Sequence, residues 1–241
     1  MKDLVIQGPR LSPEALDTFK VICMPERITL YKRAARCVSV GDDAETRKAV
    51  CGLSDFWKLD TAFVDARLRL SDFCLLALDM DSTLVNIETL DEVASYAGKG
   101  EQVTAITEAA MRGEIDYKES LRRRVAMLGG VDAALLTRVY EEKLALNEGA
   151  QQLVSECHRQ GLKTLLATGG FTFFTERIKA KLNIDYTRSN ELEIIDGRLT
   201  GKVTGPDGGE IIDAEGKSQA VREACAEIGC PATKAIAIGD G

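Results

Sequence analysis

The run LLALDMDSTLV, residues 75–85, limits what this chain can fold into more than any other stretch: an apolar segment stops at Asp79 and Asp81, one residue apart, with Ser82 and Thr83 behind them. The unbroken apolar residues Leu75 to Leu78 predict a strand covered on both faces, as in a parallel sheet. In such sheets ligands bind beyond the carboxyl ends of the strands, which puts both carboxylates in the crevice. Alternation along an extended path sets positions 79 and 81 on one side, with Met80 facing away. Two like charges that close raise each other's pKa unless a cation or a difference in protonation separates them. The pair suits one carboxylate as nucleophile and one as general acid and base, with a hard divalent cation between them and a phosphate. A solvated acidic turn after a strand is the plainer alternative.

The flanking pattern divides the chain. Residues 1–70 read as β-α-β-β-α-β: DLVIQG, then SPEALDTFKVIC with a Ser cap, then RITLY and ARCVSV, then DDAETRKAVCGL, then DTAFVDA. This is a ferredoxin-like α+β order, which fits an amino-acid-sensing module, a dimerising one or a purely structural one. ARLRLSDF, residues 66–73, is the expected join to a second unit, 71–241, of alternating strands and helices, an α/β doubly wound domain with a Rossmann-like parallel sheet. Between Asn86 and Asn147 four helical segments follow one another with no convincing strand, too many for one crossover. GLKTLLATGGF predicts a buried strand ending at Thr168, and Asp196-Gly197 predicts a type I′ hairpin turn. A helix over Lys217 to Ile228 then leads to a last buried strand, TKAIAIGDG, ending in Asp240.

Composition narrows the partners. The 241 residues are 45% hydrophobic with a net charge of -7, ordinary for a soluble globular protein and poor for a nucleic-acid surface, which needs clustered Lys and Arg. No apolar run approaches the roughly 20 residues of a membrane span, and MKDLVIQGPRLSPE lacks a signal-peptide centre. A soluble, cytoplasmic protein is expected. The seven scattered cysteines have no CxxC spacing and suit reduced, mostly buried thiols. His158, the one histidine, reads as a surface or satisfied helix-end imidazole.

DMDSTLVNIE resembles the first motif of the haloacid dehalogenase superfamily, DxDxT at the end of the first core strand. More narrowly it resembles the DxDSTL of phosphoserine phosphatases. The resemblance implies the superfamily core with the helices of about 86–147 as an inserted cap. It implies catalytic roles for Asp79 and Asp81 and a second motif at Thr168-Gly169-Gly170-Phe171, where the family usually has serine first. Its third motif aligns DA-x-x-K with Lys217. Its metal, Mg2+, would be held by the Asp79 carboxylate, the Asp81 main-chain carbonyl and Asp240. Glu88 matches the glutamate that receives the substrate amino group, and Arg124 the arginine that clamps its carboxylate. Thr168, Gly169 and Lys217 would hold the phosphate, while Met111 and Tyr117 would help close the cap and Arg122 and Arg123 would be solvated. The implied reaction is hydrolysis of O-phospho-L-serine to L-serine and phosphate, the last step of serine biosynthesis, through an aspartyl-phosphate. The family pattern continues past Gly239-Asp240-Gly241, so a piece of a longer chain is expected, and a homodimer is left open. The rival readings are a phosphatase for another small phosphate ester and a catalytically impaired amino-acid-binding or regulatory fragment.

Overall fold

The computed structural model describes residues 2–240 and falls into two compact units, Met1–Arg69 and Leu70–Gly241. In the first, β1 (Lys2–Gln7), α1 (Pro13–Cys23), β2 (Arg27–Leu30), β3 (Ala34–Val40), α2 (Ala44–Trp57) and β4 (Asp60–Asp65) follow in that order. The strands form one antiparallel sheet, β2-β3-β1-β4. Ser12 starts α1 because its hydroxyl accepts the Ala15 N–H at 3.2 Å, and Pro13 is preset for a first helical position. Leu4, Ile6, Ala35 and Cys37 alternate along their strands to one face, where Leu16, Phe19 and Val50 of the helices close the core.

The second unit begins with β5 (Leu75–Leu78), all four residues buried. Its two faces enter separate cores. Leu76 and Leu78 pack with Leu166, Phe171 and Phe174, and Leu75 and Ala77 pack with Leu165, Ala220 and Ala224. Four helices follow: α3 (Thr89–Tyr96), α4 (Gly100–Met111), α5 (Tyr117–Ala126) and α6 (Ala134–Glu142). After α7 (Ala150–Arg159) come β6 (Lys163–Phe171), α8 (Thr172–Leu182), β7 (Tyr186–Ile195), β8 (Arg198–Thr204), α9 (Ala214–Ile228) and β9 (Ala235–Ile238). The sheet order is β8-β7-β6-β5-β9, with β5 parallel to β6 and β9, β6 parallel to β7, and β8 antiparallel at the edge. Asp196 and Gly197 join β7 to β8 with φ of 49° and 75°, the two positive values a type I′ turn needs. Because β6, β5 and β9 are neighbours and run the same way, Thr168, Asp79 and Asp240 come to the same end of the sheet.

Three expectations change. β6 does not stop at Thr168 but continues to Phe171, and its pairing with β7 is irregular between Ala167 and Phe171. The reduced, scattered cysteines are corrected at Cys74 and Cys230, which form a disulfide across 156 residues where β5 and β9 begin side by side. Cys23, Cys37, Cys157 and Cys225 are free and buried, and Cys51 is free and exposed. Met111, expected to help close the cap, does not line the cavity at the strand ends: it ends α4 with 84% of its surface exposed. His158 is satisfied, with Nε2 3.1 Å from Thr164 Oγ1 and 3.2 Å from Asp185 Oδ2. Among the described residues, no helix is long and apolar enough to cross a membrane.

Candidate active site

A cavity of about 270 Å³ opens at the carboxyl ends of β5 and β6 and is lined by Asp79, Asp81, Glu88, Tyr117, Arg124, Thr168, Gly169, Lys217 and Asp240, with Leu90 and Leu121. The structure thus brings all eight residues singled out for catalysis, substrate and metal to one cavity. Gly241, the end of the fourth motif, lies outside the described residues.

Local folding explains how Asp79 and Asp81 share that cavity although the strand ends at Leu78. Both keep extended backbone, with ψ of 162° and 138°, while Met80–Leu84 wind into a wide turn closed by the Val85 N–H on the Met80 carbonyl at 3.0 Å. Ser82 takes a left-handed φ of 52° to complete it, a conformation a non-glycine residue holds only where the surroundings impose it. Met80 is fully buried beneath, as the alternation predicts. Wide turns of this kind concentrate at functional sites.

The two carboxylates are in different settings. Asp79 Oδ1 accepts the Met80 N–H at 2.8 Å, and Oδ2 is bonded to the Lys217 ammonium. Asp81 is turned away, accepting the Thr89 N–H at 3.1 Å and facing its hydroxyl at 3.3 Å. Burial, with the nearby charges of Glu88 and Asp79 adding to it, pushes the Asp81 carboxyl up to about 7. One carboxylate is therefore paired with a cation while its neighbour is buried with a pKa raised toward neutrality, a difference of setting that paired acid chemistry needs.

Thr168 is buried, and its hydroxyl accepts the Gly170 N–H at 2.9 Å, which leaves its own proton for another acceptor. A Cβ on Gly169 would lie 1.8 Å from the Tyr117 hydroxyl oxygen, so the bare glycine is what lets that tyrosine close in. Although 42% of Tyr117 is exposed, burial of its phenol pushes the pKa up to about 12. Lys217 sits in the first turn of α9, which Asp213 starts by accepting the Gly216 N–H at 2.9 Å. On the opposite side, Glu88 accepts the Ser82 hydroxyl at 2.5 Å. The Arg124 side chain is 14% exposed, with Nη1 4.0 Å from Asp91 Oδ1 and Nε a buried donor without a protein acceptor. Arg122 and Arg123 are exposed on the same helix.

The oxygens available here suit a hard cation. The Asp79 N–H donates to the Ile238 carbonyl at 3.0 Å, which sets Asp79 beside Asp240, and the Thr83 hydroxyl reaches Asp240 at 3.3 Å. The Asp81 carboxyl is engaged at Thr89, and the carboxylates of Asp79 and Asp240, both lining the cavity, offer oxygen donors of the sort magnesium takes.

Sequence reasoning missed Asn190, which is fully buried. Its amide nitrogen donates to the Gly169 carbonyl at 2.8 Å and its oxygen accepts the Ile212 N–H at 2.8 Å. It thereby ties the Thr168-Gly169 segment to the loop that presents Lys217. An asparagine, a poor strand former, in the middle of β7 was the available signal.

The family model for haloacid dehalogenase-like hydrolases matches residues 76–241. A Polaromonas sp. (strain JS666 / ATCC BAA-500) protein named phosphoserine phosphatase is 57% identical over 175 residues, 72% of this chain and 74% of that one. A crystal structure of a probable phosphoserine phosphatase from Vibrio cholerae superposes with a TM-score of 0.80 at 32% identity, covering 100% of this chain and 73% of that one. A hydrolase of the same family from Salmonella enterica serovar Typhi gives 0.84 at 27%, covering 100% and 83%. The carboxylates that end β5, the threonine and glycines of β6 and the lysine that opens α9 are, with these likenesses, those of an enzyme that belongs to the haloacid dehalogenase-like hydrolases.

Proposed function

We propose that this enzyme hydrolyses O-phospho-L-serine to L-serine and phosphate. The observation that carries the reading is the pairing in one small cavity of an acid and an arginine, Glu88 and Arg124, opposite the Asp79–Lys217 pair. An acid for an ammonium and a guanidinium for a carboxylate describe an amino acid, and the hydroxyl and glycine backbone of Thr168-Gly169 with the Lys217 cation describe a phosphate beside it.

In the proposed reaction the Asp79 carboxylate attacks phosphorus in line and the bond from phosphorus to the serine oxygen breaks. Asp81, protonated near neutrality, gives its proton to that oxygen. Now ionised, Asp81 takes a proton from the water that attacks the aspartyl-phosphate, which releases phosphate and restores Asp79. Thr168, Gly169 and Lys217 face the equatorial oxygens, where charge accumulates. Asp79, Asp240 and the Asp81 main-chain carbonyl would hold magnesium, which when bound neutralises charge that repels the nucleophile. A cytoplasmic setting belongs to the same reading.

The test is phosphate release from O-phospho-L-serine with magnesium, with chelator, and in Asp79→Asn. Release that needs metal and disappears in Asp79→Asn supports the reading. Release from other phosphate esters but not from phosphoserine overturns the substrate. Retained turnover in Asp79→Asn overturns the nucleophile.

A further inference from the structure

We infer that Lys118 is a positioning residue, which holds the helical insertion against the core and so sets Tyr117 over Gly169. The inference rests on the phosphoserine reading for its substrate. Lys118 occupies the first turn of α5, where a cation opposes the helix dipole and an acid would be the favoured choice. What offsets this lies across the site: Lys118 Nζ is 3.2 Å from Glu210 Oε2 and 3.4 Å from Asp213 Oδ2. These are the contacts of a helix between β5 and β6 with the loop between β8 and α9, 92 and 95 residues further along.

Asp213 is the joint. Its Oδ1 caps α9 at Gly216 N while Oδ2 takes Lys118, so one carboxylate fixes both the helix start that presents Lys217 and the insertion facing it. The loop cannot easily yield, because the Gly205 N–H bonds the Gly209 carbonyl at 2.9 Å and a Cβ on Gly205 would strike the Glu210 carbonyl at 1.7 Å. Tyr117 is the residue next to Lys118 and closes on Gly169, the neighbour of Thr168. The ion pairs outside the cavity therefore decide how often the tyrosine is seated inside it, without touching substrate themselves.

Kinetics with O-phospho-L-serine test this. Lys118→Met should raise KM roughly threefold with kcat unchanged or higher, as expected when one or two partly exposed pairs are lost, and Lys118→Arg should restore the wild-type KM. Hydrogen exchange of the amides at 117–121 should quicken in Lys118→Met. Lys118→Met also removes a positive charge near an anionic substrate, so the deciding variant is Glu210→Gln, at a residue 81% exposed in its side chain. A field effect alone predicts a lower KM on removing this anion, whereas the latch predicts a higher one, and predicts no rise when Glu210→Gln is made in the Lys118→Met background. An unchanged or lower KM in Glu210→Gln, or an unchanged KM in Lys118→Met, overturns the inference. Turnover of phosphoserine by the wild-type chain is the separate check on the substrate: if wild type turns it over and the variants match it, the latch alone has failed.

Discussion

Replacing Asn190 by alanine should cost more stability than any change of similar size on the surface of this enzyme. The side chain is 0% exposed and both ends of its amide are used, at 2.8 Å to the Gly169 carbonyl and 2.8 Å to the Ile212 N–H. Alanine strands the buried Ile212 N–H and the partly buried Gly169 carbonyl, a buried group costing about 1–3 kcal/mol when left unpaired, so a loss of about 2–4 kcal/mol is expected. That is a large part of the ~5–15 kcal/mol by which most domains are stable. Asn190→Asp sharpens the test. A neutral carboxyl can reproduce the amide's donor and acceptor, whereas an ionised one turns a negative oxygen on the Gly169 carbonyl. Its folded pKa is therefore raised above the unfolded value near 4, and the stability deficit grows as pH climbs through and beyond that value and shrinks below it. Urea unfolding should be followed by far-UV circular dichroism, since the single tryptophan, Trp57, belongs to the first unit and does not report on the second. A loss below about 1 kcal/mol in Asn190→Ala, with an unchanged m-value and unchanged kinetics, would refute the reasoning, because it would mean both groups find other partners.

Asp185 offers a second pH test away from the cavity. Burial opposes its charge, but the Lys163 ammonium at 2.6 Å and the Thr164 N–H and hydroxyl, each at 2.9 Å, outweigh it and hold the carboxyl below its ordinary value. Its contribution is present above the unfolded pKa and is lost as pH falls through the lower folded one, so Asp185→Asn should destabilise by about 1–3 kcal/mol at pH 7 and flatten the acid limb of the stability curve; an equally steep limb would rule this out. Gly169→Ala should leave unfolding nearly unchanged while raising KM, because its Cβ and the Tyr117 hydroxyl cannot share 1.8 Å; unchanged kinetics would mean the tyrosine is not seated there during turnover. Glu88→Gln and Arg124→Ala should depress turnover of phosphoserine far more than that of a phosphate ester lacking the amino-acid groups, and equal losses on both would remove these residues from substrate selection.

The carboxylate pair was legible because it depends on its immediate neighbours, whereas the glycine motif and the lysine were picked out by the resemblance to a family. A buried strand that stops at an acid is a local pattern, while a hydroxyl before two glycines or a lysine near a helix start is common enough that only the motif order of the family singled these out. Glu88 and Arg124 came from the likeness to a family rather than from periodicity. Met111 misled because a helix-end methionine has no pattern that says which way the helix will lean, and it ends exposed.

By itself, then, the sequence determined the order of strands and helices and the break between two units, since these follow from alternation, capping and turn residues read a few positions at a time. Only the tertiary structure decided what meets across long separations. The Cys74–Cys230 disulfide spans 156 residues, Asn190 joins Gly169 to Ile212, and Lys118 meets Asp213 outside the cavity. The state of Asp81 is of the same kind: burial and two neighbouring carboxylates push its pKa up to about 7, and burial is a property of the packed fold rather than of the tetrapeptide in which the residue is written.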